Sequence, residues 1–494
     1  MLHDLSSDEQ AVDASPRALS DAVPRSPNGH QARLHQMGEA GSHMRRTRTP
    51  QTDDRPTTRR SAALAHQDVT RSTADPIRTE GEGCLRSCDP KAARILIAGT
   101  FPGSPSGNAV SSEVLSSALE HVGEVTQLGH RMAFLPSWHP RADGVIELGT
   151  QPFVIHGEGL AAGLAYGRRL SAWTCGWAVN SRYAGALMMS RLPYAIWEAT
   201  LIGDEMESTS IAENRLNGRG TGIGVALHST LLPVGERIEG LLYRKATILC
   251  AMSDYTRSRM IERYNLSSNR VLLLSHPPTF RFLQALKRAG QEFPGPAANG
   301  GGPVRLLCVG RVDDPRKGVA ELLQAVVLAR SAGLSISLTV VGPYSEKWAR
   351  RFAALISASQ ATLLGKVDLD ELARQYLSHS ALVVPSRQEG FGIVVAEAFH
   401  AGLPVIATRC GGPEAAIRSS GAGMLTEREP AALAAAFQII VSNPSLLREL
   451  SANAARFASA ELSPAAFACR VREITGDLIA RARAKRSVGV YARL

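Results

Sequence analysis

No run of apolar residues in this 494-residue chain approaches the roughly 18 needed to cross a bilayer, which excludes an ordinary membrane-spanning helix. Met1-Leu2-His3-Asp4 and the acids and serines after them lack the apolar block of a secretory leader, so a cytoplasmic location is expected. Cysteine is scarce: Cys84, Cys88, Cys175, Cys250, Cys308, Cys410 and Cys469 are the only seven, and five of them stand alone among apolar or small neighbours. That suits buried free thiols in a reducing compartment. Cys84 and Cys88 form a single Cys-x3-Cys pair, which falls short of the four ligands of a structural zinc site. No Asp-x-Asp or His-rich cluster stands at a strand end in a way that would require a metal, so no metal and no other cofactor is expected. The net charge is +10, yet no dense Lys/Arg stripe with interleaved aromatics follows from it, which argues against a nucleic-acid partner. Residues 1–90 carry about twelve basic and thirteen acidic groups, so the positive excess lies in the rest of the chain. A field that attracts diphosphates, or an anionic surface, is the plainer meaning of that excess.

What is present is the material of two domains: 44% apolar residues, 20% charged, and a length beyond one ordinary core. Residues 1–90 are rich in Ser, Thr, Pro, Arg, Asp and His, and are expected to be a disordered tail. Order should begin at Arg94-Ile95-Leu96-Ile97-Ala98-Gly99, a continuous apolar run suited to a buried parallel strand. A turn-rich loop through Gly107 and Asn108 and a helical pattern through Val110, Val114, Leu115 and Leu119 follow it. Further strands are expected at Pro152–His156, Tyr194–Trp197 and Ala246–Cys250, giving one α/β domain over 91–285. Residues 286–303, with Gly290, Pro294, Gly295, Pro296, Gly300, Gly301 and Gly302, read as a linker. A second α/β series occupies 304–465, with strands near 304–310, 337–342, 361–365, 381–385 and 404–407 alternating with helices. Such alternation predicts a doubly wound parallel sheet, whose ligands bind at the carboxyl ends of the strands. Residues 466–494 are expected to supply a last helix and a tail.

Two clusters in the second half carry chemistry. In Pro385-Ser386-Arg387-Gln388-Glu389-Gly390-Phe391-Gly392-Ile393-Val394-Val395-Ala396-Glu397 a strand ends, a glycine-bearing loop follows and a helix begins. Backbone N–H groups at a helix start favour an anion, and carboxylates such as Glu389 and Glu397 accept hydrogen bonds from paired sugar hydroxyls. In Gly310-Arg311-Val312-Asp313-Asp314-Pro315-Arg316-Lys317-Gly318 two cations, Arg311 and Lys317, flank a turn after a strand. Fixed cations can neutralise a leaving diphosphate without metal. Taken singly, each cluster also suits a solvated loop.

Taken together they resemble one family. The order Gly-Arg-x5-Lys-Gly, then Gly365-Lys366-Val367, then Pro-Ser-x-x-Glu-Gly-Phe-Gly-x4-Glu, then Gly411-Gly412-Pro413-Glu414 is similar to the retaining glycosyltransferases of family four, also called group one. The resemblance implies the GT-B fold: two Rossmann-like doubly wound α/β domains facing a cleft, the first taking the acceptor and the second a nucleotide-diphosphate sugar. It implies that Arg311 and Lys317 hold the diphosphate, with Gly310 at their turn and Gly107 approaching from the opposite domain. It gives Glu389, with Gly390, Phe391, Gly392 and Ile393, to the transferred sugar. Glu397 would bind the ribose, and the main chain near Val367 the base. Front-face transfer with retention and no metal are part of what it implies, as is a last helix that crosses back to the first domain; the nucleotide and the sugar of the donor stay open, a UDP-sugar being one candidate. The acceptor is left as a lipid, a polysaccharide or a small natural product; membrane association is not indicated.

One departure stands out. The family's strand-end His after a Pro-Tyr start is absent: here Pro193-Tyr194-Ala195-Ile196-Trp197 runs into Glu198-Ala199-Thr200. Glu198 is taken as the candidate catalytic group in its place, with His228 as the alternative, and His156 reads as a structural histidine. Gly218–Gly224 has no strand before it and so fails as a nucleotide loop. Ser253 reads as a helix N-cap. The rival functions are a non-transferring GT-B enzyme, either an epimerase or a phosphorylase, and an inactive nucleotide-sugar-binding subunit.

Overall fold

Side chains in a strand alternate between faces, and both faces of a parallel sheet must be covered. The first strand shows this directly. In β1 (Arg94–Gly99), Ile95 and Ile97 enter one buried cluster, whereas Leu96 and Ala98 enter another on the opposite face. The computed structural model describes residues 93–100, 107–132, 137–140, 145–150, 157–205, 207–208, 223–292 and 302–491. All of them fall within one compact unit, Arg78–Leu494. The tail over 1–90 with Cys84 and Cys88, the strand expected at Pro152–His156, and the Gly218–Gly222 part of the glycine loop lie outside the described residues.

β1 is joined by β2 (Glu124–Met132), β3 (Ser137–Pro140), β4 (Val145–Thr150), β5 (Cys175–Val179), β6 (Tyr194–Glu198), β7 (Ile248–Ala251) and β8 (Val271–Leu273). Their order is β3-β4-β2-β1-β5-β6-β7-β8, parallel throughout except for antiparallel β3 at the edge. A second sheet holds β9 (Val304–Val309), β10 (Ile336–Val341), β11 (Thr362–Gly365), β12 (Ala381–Val384), β13 (Val405–Thr408) and β14 (Gly423–Thr426), all parallel, in the order β11-β10-β9-β12-β13-β14. The chain thus runs outward from β9 to β11 and returns to start again at β12. The switch point, where a doubly wound sheet opens a crevice for ligands, lies between β9 and β12. The strands the sequence did not announce, β2 to β5, β8 and β14, are short, polar or interrupted by glycine, and tertiary pairing holds them.

One core joins the two lobes. Ile95, Ile97, Trp177 and Trp197 of the first sheet share a buried cluster with Leu307, Leu382, Val384 and Val405 of the second, and with Phe467, Val471, Ile474 and Leu478 of the last helix, Pro464–Tyr491. That helix packs on the first lobe: Trp177 Nε1 donates to Thr475 Oγ1 (3.0 Å), and Lys485 Nζ to the Arg191 carbonyl (3.2 Å). Among the described residues no single helix is long and apolar enough to cross a membrane. One pair, Pro430–Ser442 with Pro444–Lys485, passes by composition, but it bends by 100° and sinks Leu433, Phe437 and Ile440 into the second lobe's core.

Candidate functional site

The loop after β9 is shaped by its own acid. Asp314 caps the short 3-10 turn Pro315–Lys317 by accepting from the Arg316 N–H. Gly318 then takes a left-handed φ of 66°, and a Cβ there would stand 2.1 Å from the Pro385 carbonyl. Only glycine lets this loop lie so close against the end of β12. Lys317 is thereby aimed at the neighbouring loop, where its Nζ donates to Glu389 Oε1 at 2.5 Å. Ser386 Oγ donates to the same oxygen at 2.8 Å. The backbone of Glu389 is also held, its N–H by the Cys410 carbonyl (2.7 Å) and its C=O by the Gly412 N–H (2.8 Å). Two loops 72 residues apart in sequence therefore meet at the switch point as an ion pair whose side chains are 25% and 12% exposed. An ammonium has three donors, so Lys317 keeps protons for a further anion.

Beyond Glu389 the chain turns through Gly390 and Phe391 into the helix Ile393–His400, capped by Gly392 at φ 82°. The first turn's N–H groups have no partner within the helix and carry its positive dipole end. One turn in, Glu397 accepts from the Tyr376 hydroxyl at 2.7 Å. Burial raises its pKa to about 7, with the Tyr376 bond working against the rise. Tyr376 belongs to the helix Leu369–Ser378, which starts from Asp368 directly after Val367. Glu397 is thus tied through one aromatic side chain to the helix that follows the loop containing Val367. From the first lobe, Gly107 opens the helix Gly107–Leu119 opposite this helix start, with its Cβ direction 3.8 Å from Ile393 Cδ1.

Arg311 sits differently from Lys317. Its guanidinium is 55% exposed and bonded to Asp314 Oδ2 at 2.8 Å, at the rim of the site. Arg316, which the sequence did not single out, is the buried cation of this loop. It bonds Asp314 (2.9 Å) and reaches across to Glu205 of the first lobe (2.9 Å). Burial works against the Asp314 carboxylate, but Arg316 with Arg311 outweighs it and holds the pKa below the usual value.

The expectation for Glu198 needs correction. It is fully buried, and its Oε2 accepts from the Ser181 N–H (2.8 Å) and the Tyr243 hydroxyl (2.8 Å). It faces inward, toward Glu239 on the helix Ile223–Lys245, and touches no open space. Glu239 in turn accepts from Ser181 Oγ (2.8 Å) and the Tyr264 hydroxyl. Burial first, and the Glu239 charge second, push the Glu198 pKa up to about 8; Glu239 is raised as well by burial. A carboxylic acid whose folded pKa exceeds its unfolded one stabilises the fold fully below the unfolded value and loses that contribution as pH rises to the folded value. Stability, read as melting temperature, should therefore fall as pH rises from about 5 to about 8. Glu198→Gln should flatten that slope in a thermal-melt series across this range; an unchanged slope would contradict the buried-acid account.

The side chain of His228 lies outside the described residues. A histidine that sequence reasoning missed is His276, after β8. It is fully buried, with Nε2 against Ser111 Oγ (3.0 Å), Nδ1 against the Pro277 carbonyl (2.6 Å), and the ring stacked 5.0 Å from Trp197 and tilted against Phe391 at 6.1 Å. Burial lowers its pKa to about 4, so it is a neutral packing group between the lobes. The signal that could have found it was its place in Ser275-His276-Pro277-Pro278, just past a strand end. A cavity of 870 Å³ lies behind the motif loop, with Met252, Leu273, Phe391, Arg418 and Phe457 among its walls, and does not include Lys317 or Glu389. Among the described residues no group of three or more His, Cys, Asp or Glu side chains is arranged to hold a metal ion.

Two facing Rossmann-like lobes with a crevice at each switch point define the GT-B class of glycosyltransferase folds. Residues 303–443, within the second lobe, match the family model described as glycosyl transferases group 1. The chain is 37% identical over 160 residues to a D-inositol 3-phosphate glycosyltransferase of Rhodococcus opacus, covering 30% of this chain and 36% of that protein. It is 33% identical over 217 residues to the protein of the same description from Geodermatophilus obscurus, covering 41% and 46%. The chain thus spans less than half the length of these curated relatives. Among solved structures, sucrose-phosphate synthase from Thermosynechococcus elongatus superposes with a TM-score of 0.59 at 18% identity, covering 79% of this chain and all of that one. Anabaena HepE in complex with UDP and glucose superposes with a TM-score of 0.57 at 14% identity, covering 78% and 99%. These distant structures share the fold.

Proposed function

We propose that this protein moves a sugar from a nucleotide-diphosphate donor to a hydroxyl acceptor, with retention and without metal, in the cytoplasm. The observation that carries the reading is the Lys317–Glu389 contact, which sets a cation and a carboxylate side by side at the start of the helix Ile393–His400. In this reading the bond from the sugar's anomeric carbon to the diphosphate breaks, and the growing charge on phosphate is met by Lys317, by Arg311 swung from Asp314, and by the helix N-terminus. Glu389, once Lys317 turns to phosphate, accepts from sugar hydroxyls, and the Phe391 and Gly392 N–H groups add donors. The acceptor oxygen bonds to the same face of that carbon, and its proton passes to a phosphate oxygen. Glu397 receives the ribose hydroxyls, the main chain at Val367 the base, and Gly107 lets the first lobe approach the diphosphate beside Gly310 and Ile393.

UDP-sugars come first among donors, because a structural neighbour's description names UDP and glucose together. The acceptors to try are a lipid, a polysaccharide and a small polyol, including a cyclitol phosphate as in the relatives' names. A melting-temperature screen against UDP-, GDP- and ADP-sugars should single out one nucleotide. Consumption of that donor with and without acceptor then separates transfer from epimerisation. No shift with any nucleotide sugar would end this reading.

A further inference from the structure

The lobes meet most closely at one peptide group. Gly390 lies in the motif loop of the second lobe, and its carbonyl oxygen is 2.5 Å from Ser253 Oγ and 3.2 Å from Thr256 Oγ1, both on the first lobe's helix Asp254–Tyr264 or its cap. Thr256 is fully buried and Ser253 nearly so. Each hydroxyl has a single proton to give. Ser253 Oγ accepts from the Thr256 N–H (3.1 Å), and of the two acceptors within reach of its own proton the Gly390 carbonyl at 2.5 Å is nearer than Thr256 Oγ1 at 3.1 Å. Thr256 Oγ1 stands 2.6 Å from the Ala199 carbonyl, the nearer of its two acceptors. The backbone itself leaves no slack. A Cβ on Gly390 would sit 2.0 Å from the Ala199 carbonyl oxygen and 2.1 Å from Thr200 Oγ1, and one on Gly412 would meet the Gly390 carbonyl at 2.2 Å. The Tyr255 ring closes over Gly411 in the same way, 2.9 Å from a Cβ there.

We propose that Ser253 is a positioning residue for the sugar site, holding the Gly390–Phe391 peptide across the lobe boundary so that the Phe391 N–H points at the donor. The proposal rests on the glycosyltransferase reading and deepens it. A peptide group is planar, so fixing its carbonyl fixes the direction of the N–H on its far side. A hydrogen bond received by the carbonyl also polarises the amide and strengthens that N–H as a donor. The arrangement forms only when the first lobe is docked on the second, so the site's donor set is complete only in the docked state. A helix cap alone would not need it: Ser253 caps its helix through the Thr256 N–H whether or not it reaches Gly390.

Two substitutions separate the two roles. Ser253→Thr keeps both cap and donor; Ser253→Asp keeps a cap acceptor but has no proton for Gly390. Melting temperature, affinity for UDP alone, and kcat and KM for the donor identified in the screen are measured on the full chain. Ser253→Thr should restore turnover to within a few-fold of the parent. Ser253→Asp should lose about 10²-fold in kcat, the cost of one misplaced backbone donor, with UDP affinity within about threefold of the parent. Equal turnover of the Asp and Thr variants would overturn the proposal, as would parallel loss of turnover and UDP binding. A parent that binds UDP but consumes no nucleotide sugar brings down the glycosyltransferase reading and this proposal with it. Parent turnover with both variants unimpaired brings down this proposal alone.

Discussion

Replacing Glu389 with alanine is expected to lower turnover by about 10²–10³-fold, the scale of a lost preorganised group, while affinity for the nucleotide diphosphate alone falls far less. The asymmetry follows from where the carboxylate sits. Its backbone is pinned by Cys410 and Gly412, its side chain by Ser386 and Lys317, and none of these bonds needs a bound nucleotide. In the proposed reaction Glu389 grips the transferred sugar, so its loss is felt where the sugar reacts. Lys317→Ala should differ in kind, lowering both turnover and diphosphate affinity, because its charge meets the leaving group before and during bond breaking. Steady-state kinetics and UDP titration on both variants check this. Unchanged turnover in either one would count heavily against the site.

The second large effect is expected from Gly390→Ala. The added methyl would meet the Ala199 carbonyl oxygen at 2.0 Å, a backbone atom at a strand end that has no rotamer to escape into. Either the motif loop or the first lobe must move by an ångström or more. Turnover should fall by about 10²-fold or more, as a displacement of that size costs in a positioned site. The second lobe's own core of Leu306, Leu322, Val326 and Phe437 does not touch this contact, so the variant should still fold. Far-ultraviolet circular dichroism like the parent's, with turnover lost, is the expected pair of results. A fully active Gly390→Ala protein would show that the lobes do not meet this way when the reaction occurs.

Much of the second lobe was legible from local pattern, because each of its signals is short-range. An apolar run ends, a glycine turn follows, a helix starts; Gly310, Gly365 and Gly392 mark those turns within one residue of a strand end or helix start. The Glu389–Glu397 spacing could be placed on a loop and a helix by counting residues. The pairing of Lys317 with Glu389 could only be expected through a family likeness, since it depends on β9 and β12 being neighbours although β10 and β11 intervene in sequence. Arg316 looked no different from Arg311 in sequence. The turn capped by Asp314 exposes one and buries the other against Glu205.

Glu198 shows the opposite limit. A strand-end carboxylate after Trp197 looked like a group facing substrate, and the chain nearby says nothing against it. Side chains alternate with a period of two along a strand, so the face Glu198 takes depends on the register of β6 with β5 and β7 and on the helix that covers it. That helix brings Glu239 and Tyr243 from about forty residues further on, and they claim the carboxylate. The amino-acid order by itself determined the two α/β series and the glycine-bearing turns, since these are set by steric preferences within a few residues; the linker expected over 286–303 begins instead inside the helix Phe280–Glu292, and its residues 293–301 lie outside the described residues. Which charged groups face one another, and which are sealed inside, was decided only when the sheets closed, because contact between residues far apart in sequence is a property of packing and not of any one segment.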